Sequence, residues 1–340
     1  MRTTLAISTL LAAATAQKGQ ALPAKGDSDI AGGIFSISLG DLSKELAKGA
    51  DKFFGTGPES PKGARQGAIT TTGGTGPYPA KFLTDPSLPQ HTIYVPKTPP
   101  KGVKLPVIAW GNGACGTDGT GFANFLTEIA SYGYIVIADG APGSAGKAAA
   151  AKSGSSGLIS SLGGGSSGGQ SKVSDMRDSI DWALAGKAAK YGDIDTTKVA
   201  AAGQSCGGLE SYSVSYHDPR VKLTMLFNMG IYQDNKRYLL KELKAPVAYF
   251  LGGPKDTGYP NAEKDYPLLP AGLPAFKATL DTGHLGTYWA DNGGKFGKAA
   301  VAYLQWQFRD DAKSKAICLD PAAPDSLVSQ NWKVAHKNWT

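Results

Sequence analysis

Cysteine is scarce in this chain, with 3 among 340 residues, and the spacings fit no zinc-binding pattern. A disulfide-built scaffold and a structural zinc module are both excluded. No apolar stretch reaches the about 20 residues that a membrane-spanning helix needs, so no transmembrane segment is expected. The 35 Lys+Arg outnumber the 28 Asp+Glu, for a formal charge of +7, without any run of five basic residues. The excess reads as solubility with a mild preference for acidic surfaces, and no nucleic-acid partner is expected. Internal repeats are absent as well. What remains is an ordinary globular composition, 41% hydrophobic, with length for one large α/β domain plus tails.

The first residues carry one positive charge at Arg2, then an apolar stretch over 5–14, then Ala14-Thr15-Ala16. This pattern predicts a secretory signal peptide over 1–16, cleaved after Ala16, and a secreted, extracellular protein in which cysteines can pair. Residues 17–75 are poor in core-forming side chains and read as an N-terminal arm or pro-segment. One island of helical spacing lies near residues 42–54. Residues 313–340 carry Cys318 and two prolines and read as a wrapping C-terminal tail. The sequon Asn338-Trp339-Thr340 ends the chain.

Between them, residues 76–312 alternate short apolar runs with helical periodicity. Strands are expected at 91–95 (stopped by Pro96), 105–110, 134–138, 199–202, 221–227, 247–251 and 278–280. Phe122, Phe125, Leu126 and Ile129 mark one amphipathic helix. Ser174 reads as the N-cap of a second, a third starts near Gly207, and a last one spans 298–308. The alternation predicts an α/β fold: a mostly parallel sheet with helices on both faces and its site at the strand C-terminal ends. Residues 143–171, low in complexity and rich in Gly, Ser and Ala, read as a long loop at that same end.

Gly203-Gln204-Ser205-Cys206-Gly207 fits G-x-S-x-G, between an apolar strand and a helix, the setting of a nucleophile elbow. Glycines at 203 and 207 suit a bend where backbones come close. A serine hydroxyl needs a base, and the base needs an orienting acid. Four histidines exist. His91 opens an early strand, His217 ends the post-elbow helix and His336 lies in the tail, which leaves His284, flanked by glycine after a short strand. Asp256, in the loop after the strand between elbow and histidine, completes the order Ser…Asp…His. Glu263, Asp265 and Asp281 are its rivals. The oxyanion hole is expected from the Cys206 amide and from Asn112, Gly113 or Ala114, with Gly113 favoured. Cys115 and Cys206 belong to these two loops, so a Cys115–Cys206 disulfide is expected to fix the spacing of the two donors.

These residues resemble the α/β-hydrolase superfamily, and more closely its secreted branch of polyester hydrolases, cutinase-like esterases and dienelactone-hydrolase-like proteins. Gly76-Pro77-Tyr78, His91 to Tyr94, Pro106 to Gly113, Leu126 to Ala138, Gly203 to Glu210, Asp256 and Gly283-His284 carry the likeness. The variants Trp110 to Cys115 and Gly203 to Gly208 look most like uncharacterised filamentous-fungal members. The resemblance implies an α/β-hydrolase fold, Ser205, Asp256 and His284 as a catalytic triad, and hydrolysis of carboxylic esters. The loop at 143–171 and the N-terminal arm depart from the common pattern.

The expected activity is thus that of a secreted serine hydrolase acting on a small-molecule or polymeric ester through an acyl-enzyme. No metal or cofactor is called for, and a monomer is expected. Tyr78, Tyr288 and Trp289 are expected to contact the substrate, whereas Trp110 reads as core. A peptidase, thioesterase or acyltransferase on the same elbow, or a secreted binding protein, are the alternatives.

Overall fold

The computed structural model describes residues 56–63, 67–70, 72–143 and 170–339. The signal peptide expected at 1–16, the island near 42–54 and nearly all of the stretch 143–171 lie outside the described residues. Of the arm over 17–75, the structure describes only the end nearest the domain.

Among the described residues, one sheet holds nine strands: β1 (Ala80–Asp85), β2 (Leu88–Pro96), β3 (Lys104–Gly111), β4 (Ile135–Asp139), β5 (Asp193–Gln204), β6 (Val221–Phe227), β7 (Val247–Leu251), β8 (Ala275–Thr279) and β9 (Lys333–Lys337). Their order across the sheet is β1-β2-β4-β3-β5-β6-β7-β8-β9. The six strands from β4 to β8 run parallel. β1 and β2 at one edge and β9 at the other are antiparallel. The parallel strands are the continuous apolar runs, because both of their faces are covered.

Side chains alternate between those faces. Trp110, Val136, Ala202, Phe227, Phe250 and Phe276 meet α1 (Ala123–Ser131) and α5 (Gly294–Arg309) on one side. On the other side Val107, Ala109, Ile137, Val199 and Ala201 meet α2 (Val173–Trp182). Further along that face, Leu226, Tyr249 and Leu251 pack with Leu209 and Tyr212 of α3 (Cys206–His217) and Ala262 of α4 (Tyr259–Leu268). The α/β expectation holds at this level.

Local departures have physical reasons. Pro96 does not stop β2 but pairs with Ala80 across the edge ladder, a position where a missing N–H is tolerated. Ser174 lies inside α2, whose cap is Lys172, with Asp175 reaching back to the Lys172 N–H at 2.9 Å. The strand expected at 278–280 is β8, three residues earlier. The wrapping tail is built of regular elements. Residues 313–340 contribute most of α6 (Ala312–Leu319) and the edge strand β9, which pairs with β8 from Ala275↔Lys337 to Thr279↔Lys333. Trp332 seats against Phe250 and Phe296, and Trp339 against Trp306.

The C-terminal residues therefore belong to the core's boundary. Truncation after Trp332 removes β9 and the Trp339–Trp306 contact. It is expected to lower the melting temperature by about 5 °C or more, measured by circular dichroism; an unchanged melt contradicts the assignment.

Candidate active site

The bend between β5 and α3 sets Ser205 at φ 54° and ψ −115°. That backbone costs a non-glycine residue about 1–3 kcal/mol and persists only where the surroundings enforce it. They do so here: the Ser205 N–H donates to the Phe227 carbonyl (2.9 Å) and the Gly207 N–H to the Asn112 carbonyl (3.0 Å). A Cβ at Gly203 would overlap the Gly207 carbonyl, and one at Gly207 the Gly111 carbonyl. Only glycine permits both approaches, and Ser205 is left partly exposed at the tip.

His284 arrives from the loop after β8, with Nε2 2.9 Å from Ser205 Oγ and Nδ1 2.7 Å from Asp256 Oδ1. Thr257 Oγ1 lies 3.0 Å from the same Nδ1. The carboxylate partner fixes the proton on Nδ1, which leaves Nε2 to accept from the serine hydroxyl. The Asp256 carboxylate accepts further hydrogen bonds, from the Gly258 N–H (2.9 Å) on Oδ1 and from the Gly252 N–H and Asn228 Nδ2 (2.8 Å each) on Oδ2. Burial alone would raise this carboxyl. The bonds from His284, Gly252 and Asn228 outweigh burial and hold it below the ordinary range. Tyr288 OH in turn donates to Asn228 Oδ1, which aims the amide at Asp256.

The rivals are engaged elsewhere. Asp265 is buried with Arg237 Nε (2.8 Å), Tyr212 OH (2.9 Å) and the Ile231 N–H (2.5 Å). Glu263 pairs with Lys277, and Asp281 lies beside Gly57 and Gly253. His91 is buried in β2 with Nε2 on the Asp175 carbonyl (2.9 Å), His217 is the last residue of α3, and His336 is exposed on β9.

Cys206 opens α3, so its N–H has no acceptor inside the helix. Facing it is the loop after β3, brought alongside by the register Gly111↔Gly203. Here Ala114 (φ 56°) and Cys115 (φ 51°) both adopt left-handed backbone. The Cys115–Cys206 disulfide, Cα–Cα 5.2 Å, ties this loop to the helix start. Gly113 lies under Gln204 Oε1, with the Phe122 ring close by. The Asn112 side chain serves the loop itself: Nδ2 donates to the carbonyls of Gly116 (3.0 Å) and Asp139 (2.6 Å), and Oδ1 accepts from Trp110 Nε1 (3.1 Å).

The three expected substrate contacts fall in different places. Tyr78 donates its N–H to the Ser131 carbonyl and packs at Gly133, before β4, at the opposite end of the sheet from Ser205. Tyr288 is wholly buried among Phe122, Phe125, Phe227 and Phe296. Trp289 is half-buried, 5.7 Å from the Phe122 ring, with its Nε1 donating to the Gly121 carbonyl (2.7 Å). Asn228, Gln204 and Thr257 were not anticipated. An asparagine directly after the apolar run Val221–Phe227, at a strand's C-terminal end, was the available signal for the first.

Beneath the loop lie two buried carboxyls. Glu210, one turn into α3, accepts from Ser171 Oγ (2.9 Å), and the Ser171 N–H donates to the Cys115 carbonyl (2.9 Å). Asp139 ends β4, with His91 Nε2 3.8 Å away. Burial pushes Glu210 from its ordinary 4.5 up to about 8, and burial together with Glu210 pushes Asp139 up as well. Among the described residues, no group of three or more His, Cys, Asp or Glu is arranged to hold a metal ion.

A carboxyl whose pKa rises on folding gives stability that is full below pH 4.5 and falls as pH climbs through about 8. Wild type is therefore expected to lose melting temperature between pH 5 and 8. Glu210→Gln should flatten that decline; parallel curves for the two chains contradict it. Neither a protein-family model nor a curated protein matches the chain, so the functional reading rests on this geometry.

Proposed function

We propose that the chain is a serine hydrolase that cleaves carboxylic esters through an acyl-enzyme, on an α/β-hydrolase fold. One observation carries the reading: Ser205, at a strained positive φ, His284 and Asp256 stand in hydrogen-bonded sequence at 2.9 and 2.7 Å. The chain order Ser…Asp…His, each residue in a loop at the C-terminal end of β5, β7 or β8, supports the fold.

Ser205 Oγ attacks the ester carbonyl while His284 Nε2 takes its proton. Asp256 holds the imidazole and stabilises its charged form. The Cys206 N–H and an N–H from residues 112–114 hold the oxyanion. The same Nε2–H protonates the leaving alkoxide, and the alcohol departs. Water, deprotonated by His284, then attacks the acyl-serine, releasing the acid and restoring the hydroxyl. Phe122, whose ring lies near Gly113 and 5.7 Å from that of Trp289, supplies apolar surface beside the site.

Secretion fits the leader pattern and the disulfide, which persists in an oxidising compartment. No helix among the described residues is long and apolar enough to cross a membrane.

A fluorophosphonate probe is expected to label wild type and not Ser205→Ala; equal labelling removes Ser205 as the nucleophile. On p-nitrophenyl esters, Asp256→Asn is expected to lower kcat by about 10⁴-fold with the fold retained. Asp265→Asn, which breaks the pairing with Arg237, should instead lower the melting temperature and leave most of kcat. The opposite pattern transfers the acid to Asp265. Peptide or thioester turnover in preference to oxygen esters contradicts the ester reading.

A further inference from the structure

The loop that carries His284 is held from two sides. On the inner side, the N–H groups of Thr282 and Gly283 donate to the Gly252 carbonyl (3.0 and 2.8 Å), and Gln204 Nε2 donates to the His284 carbonyl (3.0 Å). The outer side is held by a segment that the chain supplies far earlier. Thr56 forms an antiparallel bridge with Gly283, the residue before the histidine. The Glu59 N–H donates to the Asp281 carbonyl (3.0 Å), and Ser60 Oγ, itself accepting from the Gly57 N–H (3.0 Å), donates to the Thr282 carbonyl (2.6 Å). Gly57 lies so close that a Cβ there would overlap the Asp281 carbonyl.

The same segment reaches the acid's loop. Lys255, the residue before Asp256, donates from Nζ to the Thr56 carbonyl (2.9 Å). Glu59 anchors the far side, accepting from Lys295 Nζ (2.5 Å) at the start of α5 and from Asn331 Nδ2 (2.7 Å).

We propose that residues 56–60 form a positioning strap which fixes the loops of His284 and Asp256 against each other. Any proteolytic maturation of the N-terminal arm that leaves an active protein must then cut ahead of Thr56. The inference rests on the serine-hydrolase reading for its catalytic consequence, though the bracing itself is independent of it.

Two features separate this role from general support of the fold. None of residues 56–60 is buried, so the strap adds little to the apolar core and its loosening should cost little stability. Its bonds fall on the backbone of residues 281–283 and on Lys255, directly before the base and the acid. A misplacement of about 1 Å at such a site costs about 10²-fold in rate. The strap bonds to the backbone of residues 281–283 and to Lys255, and to no side chain of Ser205, His284 or Asp256, so the loss should fall on kcat and spare KM.

The test uses the full-length secreted chain and the double variant Gly57→Ala/Ser60→Ala. With p-nitrophenyl butyrate, kcat is expected to fall at least about tenfold, with KM within about twofold. The melting temperature should move by no more than about 3 °C. In ¹H NMR, the low-field resonance of the His284 Nδ1 proton should broaden or shift upfield. Ser60→Thr, which keeps the hydroxyl, should retain both rate and resonance. An unchanged resonance and unchanged kcat in the double variant overturn the strap. If the double variant is unstable, Ser60→Ala alone is read by the same criteria. The two readings fail separately: wild type that ignores a fluorophosphonate probe ends the hydrolase reading, while the NMR comparison still decides the strap.

Discussion

The hydrogen bond between Ser205 and His284 joins residues 79 positions apart in sequence and three strands apart in the sheet. At the usual strand spacing, the ends of β5 and β8 stand about 14 Å apart, too far for a side chain to bridge. The histidine's loop must therefore lie back across the tips of β7 and β6, and the structure is arranged to let it. Gly252 at the end of β7 has no Cβ, and one would overlap the Gly283 carbonyl. Asn228 at the end of β6, at φ 53°, offers Nδ2 to the same carbonyl at 3.4 Å and to Asp256 at 2.8 Å. Parallel strands deliver the loops of Ser205, Asp256 and His284 to one end, and the glycine at 252 brings them within reach.

The Ser205 side obeys a similar rule of close backbone approach. Gly111 and Gly207 bring the loop after β3 against the first turn of α3, and the disulfide then locks that approach. Two consecutive non-glycine residues in left-handed backbone, Ala114 and Cys115, give the loop a shape that local sequence preference opposes. Tertiary contacts must hold it: the bond to Cys206, the Asn112 side chain threaded among the loop carbonyls, and Ser171 on the Cys115 carbonyl. Strain and the groups that stabilise it are thus concentrated where charge would develop in the proposed reaction.

Much of this was legible in the sequence because it depended on local pattern. The apolar runs of β3 to β7 are buried on both faces, so composition alone marked them. Ser205 and His284 were readable from flanking glycines, and Asp256 from its place after β7. What escaped depended on long-range contact. β9 is a half-exposed edge strand whose pairing with β8 no local pattern announces, and α4 carries Pro267 next to its last residue, which argues against a helix there. Tyr78 and Tyr288 were misjudged because aromatic character does not say which end of the sheet, or which depth, a ring occupies. The Asn228–Tyr288 support and the strap at 56–60 join residues 60 or more positions apart, and nothing short of the folded chain brings them together.

The proposed reaction passes through a covalent bond at one atom, Ser205 Oγ. The direct measurement is rapid acid quench of the enzyme with a p-nitrophenyl ester, followed by mass mapping of its peptides. The account predicts one acyl group, on the peptide bearing Ser205, formed within the first turnover and discharged by water. Turnover with no acyl-peptide at any quench time, or acylation of another residue, contradicts it.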